Sequence, residues 1–70
     1  MNKLYCISYV SHAEDTLTEL SYSHNIDKLC KRVPNKNWIV IDDPNSKTLR
    51  RTSEEGEYPF YMIHEVNFII

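Results

Sequence analysis

TLTELSYSHNIDKLCKRV, Thr16 to Val33, reads as a strand running straight into an amphipathic helix. Ile26, Leu29, Cys30 and Val33 fall at i, i+3, i+4 and i+7, the spacing that gathers apolar groups on one helical stripe. His24, Asn25, Asp27, Lys28, Lys31 and Arg32 take the other side. Ser23 is placed to cap the helix, with Asn25 as the alternative two residues later, because either side chain can accept an otherwise unpaired backbone N–H. Asp27 lies near the positive end of the helix dipole, and Lys31 and Arg32 near the negative end. Pro34 cannot continue the helix and disfavours helical geometry at Val33. A helix of about ten residues is marginal alone in water, so it needs a surface to pack on.

The rest of the chain supplies that surface. Lys3 to Val10 reads as an interior strand, with Tyr5, Ile7 and Tyr9 on one face and Leu4, Cys6, Ser8 and Val10 on the other. Ser11 to Asp15 is a polar turn. Thr16 to Tyr22 returns as a hairpin partner, with Thr16, Thr18, Leu20 and Tyr22 on one face and Leu17, Glu19 and Ser21 on the other. After the loop Pro34 to Asn37, the run Trp38 to Ile41 fits a buried strand. Asp42 to Ser46 is a turn in which Asp and Asn bond back to the local backbone and Pro sets φ. Lys47 to Thr52 reads as a short, exposed return strand, and Ser53 to Glu57 as a second turn. Tyr58-Pro59 marks the entry to a closing strand that runs to Ile70. There Phe60, Met62, His64, Val66, Phe68 and Ile70 alternate with Tyr61, Ile63, Glu65, Asn67 and Ile69. The first set is the more apolar and is expected to meet the helix.

The expected fold is therefore α+β: a single domain over residues 1–70, with a small antiparallel sheet ordered β-β-α-β-β-β along the chain and one helix on one face. One helix cannot cover both faces. The uncovered face is expected to carry aromatic and aliphatic groups from among Tyr5, Ile7, Tyr9 and Tyr61, and an apolar face left open on a monomer usually marks an interaction surface.

Size and composition bound the rest. Seventy residues bury only roughly 60 % of the unfolded chain's surface, so stability is thin without a staple or a partner. The two cysteines, Cys6 and Cys30, read as small buried hydrophobes of a reducing compartment, ahead of a disulfide between them. Met1 to Val10 lacks the layout of a signal peptide, and no apolar run approaches the ~18 residues that span a bilayer. A cytoplasmic protein with no membrane partner is expected. A net charge of −2 signals neither a basic nucleic-acid binder nor an acidic mimic of one.

Catalysis is not expected. Cys6 or Cys30 with His64 would make a nucleophile–base pair, but the apolar context of both cysteines predicts an inert thiol. A single Gly excludes a glycine-rich phosphate loop, and Asp42 with Asp43 reads as turn chemistry. No cofactor is expected. No metal site is expected either, because His12, Glu14 and Asp15 match the spacing of no closed site.

Two sets of residues remain as candidates. Tyr5, Tyr9, Tyr61 and Trp38, with Phe68 and Ile70 at the closing edge, suit a protein partner, since Tyr and Trp bury large area at little entropic cost. The same surface suits homodimerisation, by face stacking or by edge pairing. Lys28, Lys31, Arg32, Lys36, Arg50 and Arg51 would serve a nucleic-acid binder with tyrosines stacking on bases. Against this, Glu54, Glu55 and Glu57 follow closely on the second basic group, and a solvated face is the favoured explanation of the charges.

In SYSHNIDKL (21–29) and YMIHEVNFII (61–70), and in the order of elements between them, the chain resembles the short α+β proteins of bacteriophages and mobile elements. That group includes anti-CRISPR and other inhibitors of host defence. The resemblance implies a non-enzymatic inhibitor or modulator that docks a larger bacterial protein in the host cytoplasm. A nucleic-acid module, or a dimer holding a small ligand such as a nucleotide, is the alternative.

Overall fold

The computed structural model describes residues 3–13, 16–54 and 56–66. Five strands form one antiparallel sheet: β1 (Leu4–Val10), β2 (Leu17–Ser23), β3 (Ile39–Val40), β4 (Thr48–Arg51) and β5 (Phe60–Val66), with α1 (Ile26–Cys30) between β2 and β3. Their order across the sheet is β2-β1-β5-β4-β3. The expected class, a small antiparallel sheet with a single short helix, holds, and β1 is interior as its two apolar faces require.

The register decides which side chains share a face. Along β1, Tyr5, Ile7 and Tyr9 stand opposite Glu65, Ile63 and Tyr61 of β5, and Cys6, Ser8 and Val10 stand opposite His64, Met62 and Phe60. The helix lies on the first of these faces. Ile7, Leu29 and Ile63, at 0–1 % exposure, form the core, and Tyr5, Ile26, Cys30, Val33 and Trp38 pack around it. This corrects two expectations. Phe60, Met62, His64 and Val66 do not meet the helix, and Tyr5 and Ile7 do not line the uncovered face. Both faces of β5 are apolar enough for a helix, so its own alternation is uninformative. The choice is made by β1, where Ile7 against Ile63 is an all-aliphatic floor, while the other face sets Cys6 against a half-buried His64 that is hydrogen-bonded to Ser8.

The uncovered face is nonetheless closed at its centre. Cys6, Ser8 and Val10 are fully buried. Each is short and lies between taller neighbours on the flanking strands: Tyr22 and His64 beside Cys6, Glu19 and Met62 beside Ser8, Leu17 and Phe60 beside Val10.

Four local readings change. The helix is five residues, not about ten. Asn25, the alternative cap, is the one used: its Oδ1 accepts from Asp27 N at 2.9 Å, while Ser23 Oγ accepts from Asn25 N one step earlier, at 3.0 Å. Beyond Cys30 the chain continues as tight i→i+3 turns, with Arg32 N donating to Leu29 O and Val33 N to Cys30 O. Pro34 has this effect on the residue before it, and Asn35 then takes φ +67°. The run Trp38 to Ile41 is not a buried strand. β3 is a two-residue edge on which Val40 is 62 % exposed, and Trp38 alone reaches the core. β4 in turn is half-buried between β5 and β3 rather than exposed.

β2 contains a bulge. Ile7 pairs with Ser21 and Ser8 with Glu19, so Leu20 is the extra residue. The insertion moves Tyr22 off the face of Thr18 and onto that of Leu17 and Glu19, against simple alternation.

Candidate functional site

The helix is too short to cover its whole face of the sheet. Past its last turn lies a groove of about 410 Å³, with Ile7, Leu20, Ser21 and Tyr61 below and Arg32, Val33 and Pro34 as the wall. Leu20 enters it because the bulge displaces this residue from the ladder, and it stays 52 % exposed. Tyr9 and Tyr61, cross-strand partners, stand beside it as a tilted pair with ring centroids 5.0 Å apart. Pro34 turns the chain there, which holds the Arg32 side of the groove against the sheet. Lys28, Lys31, Arg32 and Lys36 are all exposed on the helix and its following turn, where Asp27 is the single acid. Of these cations Arg32 lines the groove, and Ile7 and Leu20 are the aliphatic part of its floor.

The sequence candidates divide accordingly. Tyr9 and Tyr61 are half-buried at the groove. Their surface is open because the helix stops short of it, not because they point away from the helix. Tyr5 and Trp38 are packing residues of the core, and the Trp38 indole N–H is buried with no acceptor among the described residues. Phe68 and Ile70 lie outside the described residues, as do Glu14 and Asp15. The basic set is split. Arg50, opposite Ile63, is on the helix side, whereas Arg51 is on the other face with its guanidinium 4.3 Å from the centre of the Phe60 ring. A single stripe of six cations does not form.

The opposite face holds a polar cluster that spacing along the chain does not reveal. Ser8 Oγ is 3.1 Å from His64 Nε2 and 3.5 Å from Cys6 Sγ, and the Cys6 thiol reaches Glu19 Oε2 at 3.7 Å. Tyr22 OH donates to the same Glu19 oxygen. Burial pushes the Cys6 thiol above its ordinary pKa; the Glu19 carboxylate adds to the rise, and the Ser8 hydroxyl opposes it. Tyr22 is pushed up to about 12, chiefly by its hydrogen bond to Glu19. Cys6 and His64, the pair considered for catalysis, do come together, but a fully buried thiol held protonated is a poor nucleophile. Cys30 is also free, on the other face of the sheet. Glu19, Ser8, Tyr22 and Leu20 were absent from the sequence candidates. The bulge that assembles them follows from pairing with β1, which no local pattern in β2 announces.

Among the described residues no helix is long and apolar enough to cross a membrane. No family model matches the chain, nor does any curated protein or solved structure.

Proposed function

We propose that this chain is a small, non-catalytic binding protein of the cytoplasm that docks a larger protein through the groove at the end of its helix. The observation that carries the reading is the groove's composition: Ile7 and an exposed Leu20 in the floor and Arg32 in the wall, with Lys28 and Lys31 exposed on the helix and turn that lead to it. That combination suits an acidic segment of a partner bearing one apolar anchor. The anchor would fill the space over Ile7 and Tyr61, and the acids would face Arg32, Lys31 and Lys28. The resemblance in layout to phage-type inhibitors supports a bacterial host-defence protein as the partner class.

The nucleic-acid reading draws on the same cations, with Tyr9 and Tyr61 as a stacking platform. The two separate on salt. A tagged chain is used to capture partners from bacterial lysate at low and high salt, beside the Leu20→Glu variant. A protein retained at high salt by the wild type and lost from Leu20→Glu supports docking at the groove. Nucleic acid that falls away steeply with salt would replace this reading with the alternative.

A further inference from the structure

We propose that Cys6, Glu19 and His64 form a binding site for a zinc-type divalent cation on the sheet face opposite the helix, a site separate from the docking groove. One ligand atom from each of the three lies within 4.8 Å of the other two. They sit 13 and 45 residues apart in sequence and are brought together by the register of three adjacent strands, β2, β1 and β5. A strand-borne set of this kind is rigid, so little reorganisation is needed on binding.

The chemistry fits one class of ion. Thiolate, imidazole and carboxylate together are the ligand types of zinc and its close neighbours, whereas calcium and magnesium take oxygen sets. The geometry fits as well. For a tetrahedral ion with sulfur at 2.3 Å and oxygen near 2.1 Å, the ligand atoms are about 3.6 Å apart. Cys6 Sγ and Glu19 Oε2 stand at 3.7 Å. Tyr22 is hydrogen-bonded to Glu19 and holds the carboxylate toward the thiol, the outer support that metal-binding carboxylates ordinarily receive. Ser8 Oγ, in contact with both the Cys6 sulfur and His64 Nε2, occupies the floor. With three protein ligands and Glu19 on the exposed side, the fourth position faces solvent. Binding replaces the thiol's proton by the metal, and the proton leaves to solvent.

The test is cobalt(II) titration of the chelator-stripped, reduced protein, followed by absorbance. The site predicts one equivalent bound, with a thiolate-to-cobalt charge-transfer band and the strong visible bands of four-coordinate cobalt. Zinc should then bleach both. Cys6→Ser should abolish the charge-transfer band. Glu19→Gln, at an exposed position where folding is not at stake, should weaken binding by about tenfold or more, and Tyr22→Phe by about tenfold. Circular dichroism of each variant reports the fold independently. If no charge-transfer band appears, or if Glu19→Gln binds cobalt as the wild type does, the site is overturned. Binding that persists in Cys6→Ser, as loosely held cobalt on His12 and His24 would, overturns it equally.

Discussion

Leu29 is the one fully buried side chain the helix contributes, and it closes against Ile7 and Ile63. Leu29→Ala should cost about 2–5 kcal/mol, and Ile63→Val about 1 kcal/mol, read from urea unfolding midpoints. A domain this small has little stability to spare, so the first change should leave much of the population unfolded at room temperature. Trp38 makes the opposite point. Its indole N–H is buried without an acceptor among the described residues, so Trp38→Phe removes a group that is costly to leave unpaired along with some contact area. The two effects offset, and Trp38→Phe should shift stability by no more than about 1 kcal/mol, whereas Trp38→Ala should cost roughly 3 kcal/mol or more. Cys30 sets a pH dependence. Burial raises its pKa from 9.0, with Arg50 opposing the rise and Asp27 adding to it. The folded chain therefore keeps a proton that the unfolded chain gives up. Its contribution to stability is complete below pH 9.0 and is lost as pH climbs from there through the folded value. Urea midpoints should fall between pH 8 and pH 10.5, and the fall should be shallower in Cys30→Ala; an equal slope in both proteins would contradict this account of the thiol.

At the scale of elements, the helix depends on its cap because it has so few residues. Asn25→Ala should lower stability by about 1 kcal/mol, and Asn25→Asp should restore most of it. The bulge in β2 has a sharper test. Deleting Leu20 restores regular pairing with β1 and leaves Tyr22 opposite Cys6, on the face of Glu19. It should therefore keep the Tyr22–Glu19 hydrogen bond, and the tyrosine absorbance titration should retain the component near pH 12. What was legible in the sequence follows the same lines. The hairpin, the helix stripe, the interior position of β1 and the turns within Asp42–Ser46 and before Phe60 were all local patterns, and they hold. The face chosen by the helix was not legible, because β5 is apolar on both sides and only its register with β1 separates Ile63 from His64. The polar cluster was not legible because one inserted residue, Leu20, moves Tyr22 across the sheet. Of the binding candidates, Tyr9, Tyr61, Lys28, Lys31 and Arg32 were within reach of sequence reasoning. That Tyr61 and Arg32 meet at one groove was not, since it depends on the helix being five residues long.

At the scale of the whole molecule, the sheet separates two chemistries. One face carries the helix, the core and a groove walled by Arg32; the other carries a thiol, a carboxylate and an imidazole joined by hydrogen bonds through Ser8 and Glu19. Substitutions on one face should leave the other untouched. Arg32→Glu should abolish partner capture without altering cobalt binding, and Glu19→Gln should do the reverse. The central claim concerns the groove, and site-specific photo-crosslinking tests it most directly. A photoreactive phenylalanine analogue is placed at Leu20, and in a control chain at Val40, the most exposed large apolar side chain among the described residues, on the far edge strand. Both chains are irradiated in bacterial lysate. Docking at the groove predicts one discrete adduct to a larger protein from position 20 and none from position 40. Equal labelling from both positions, or an adduct from position 20 of only twice the chain's own mass, would contradict it.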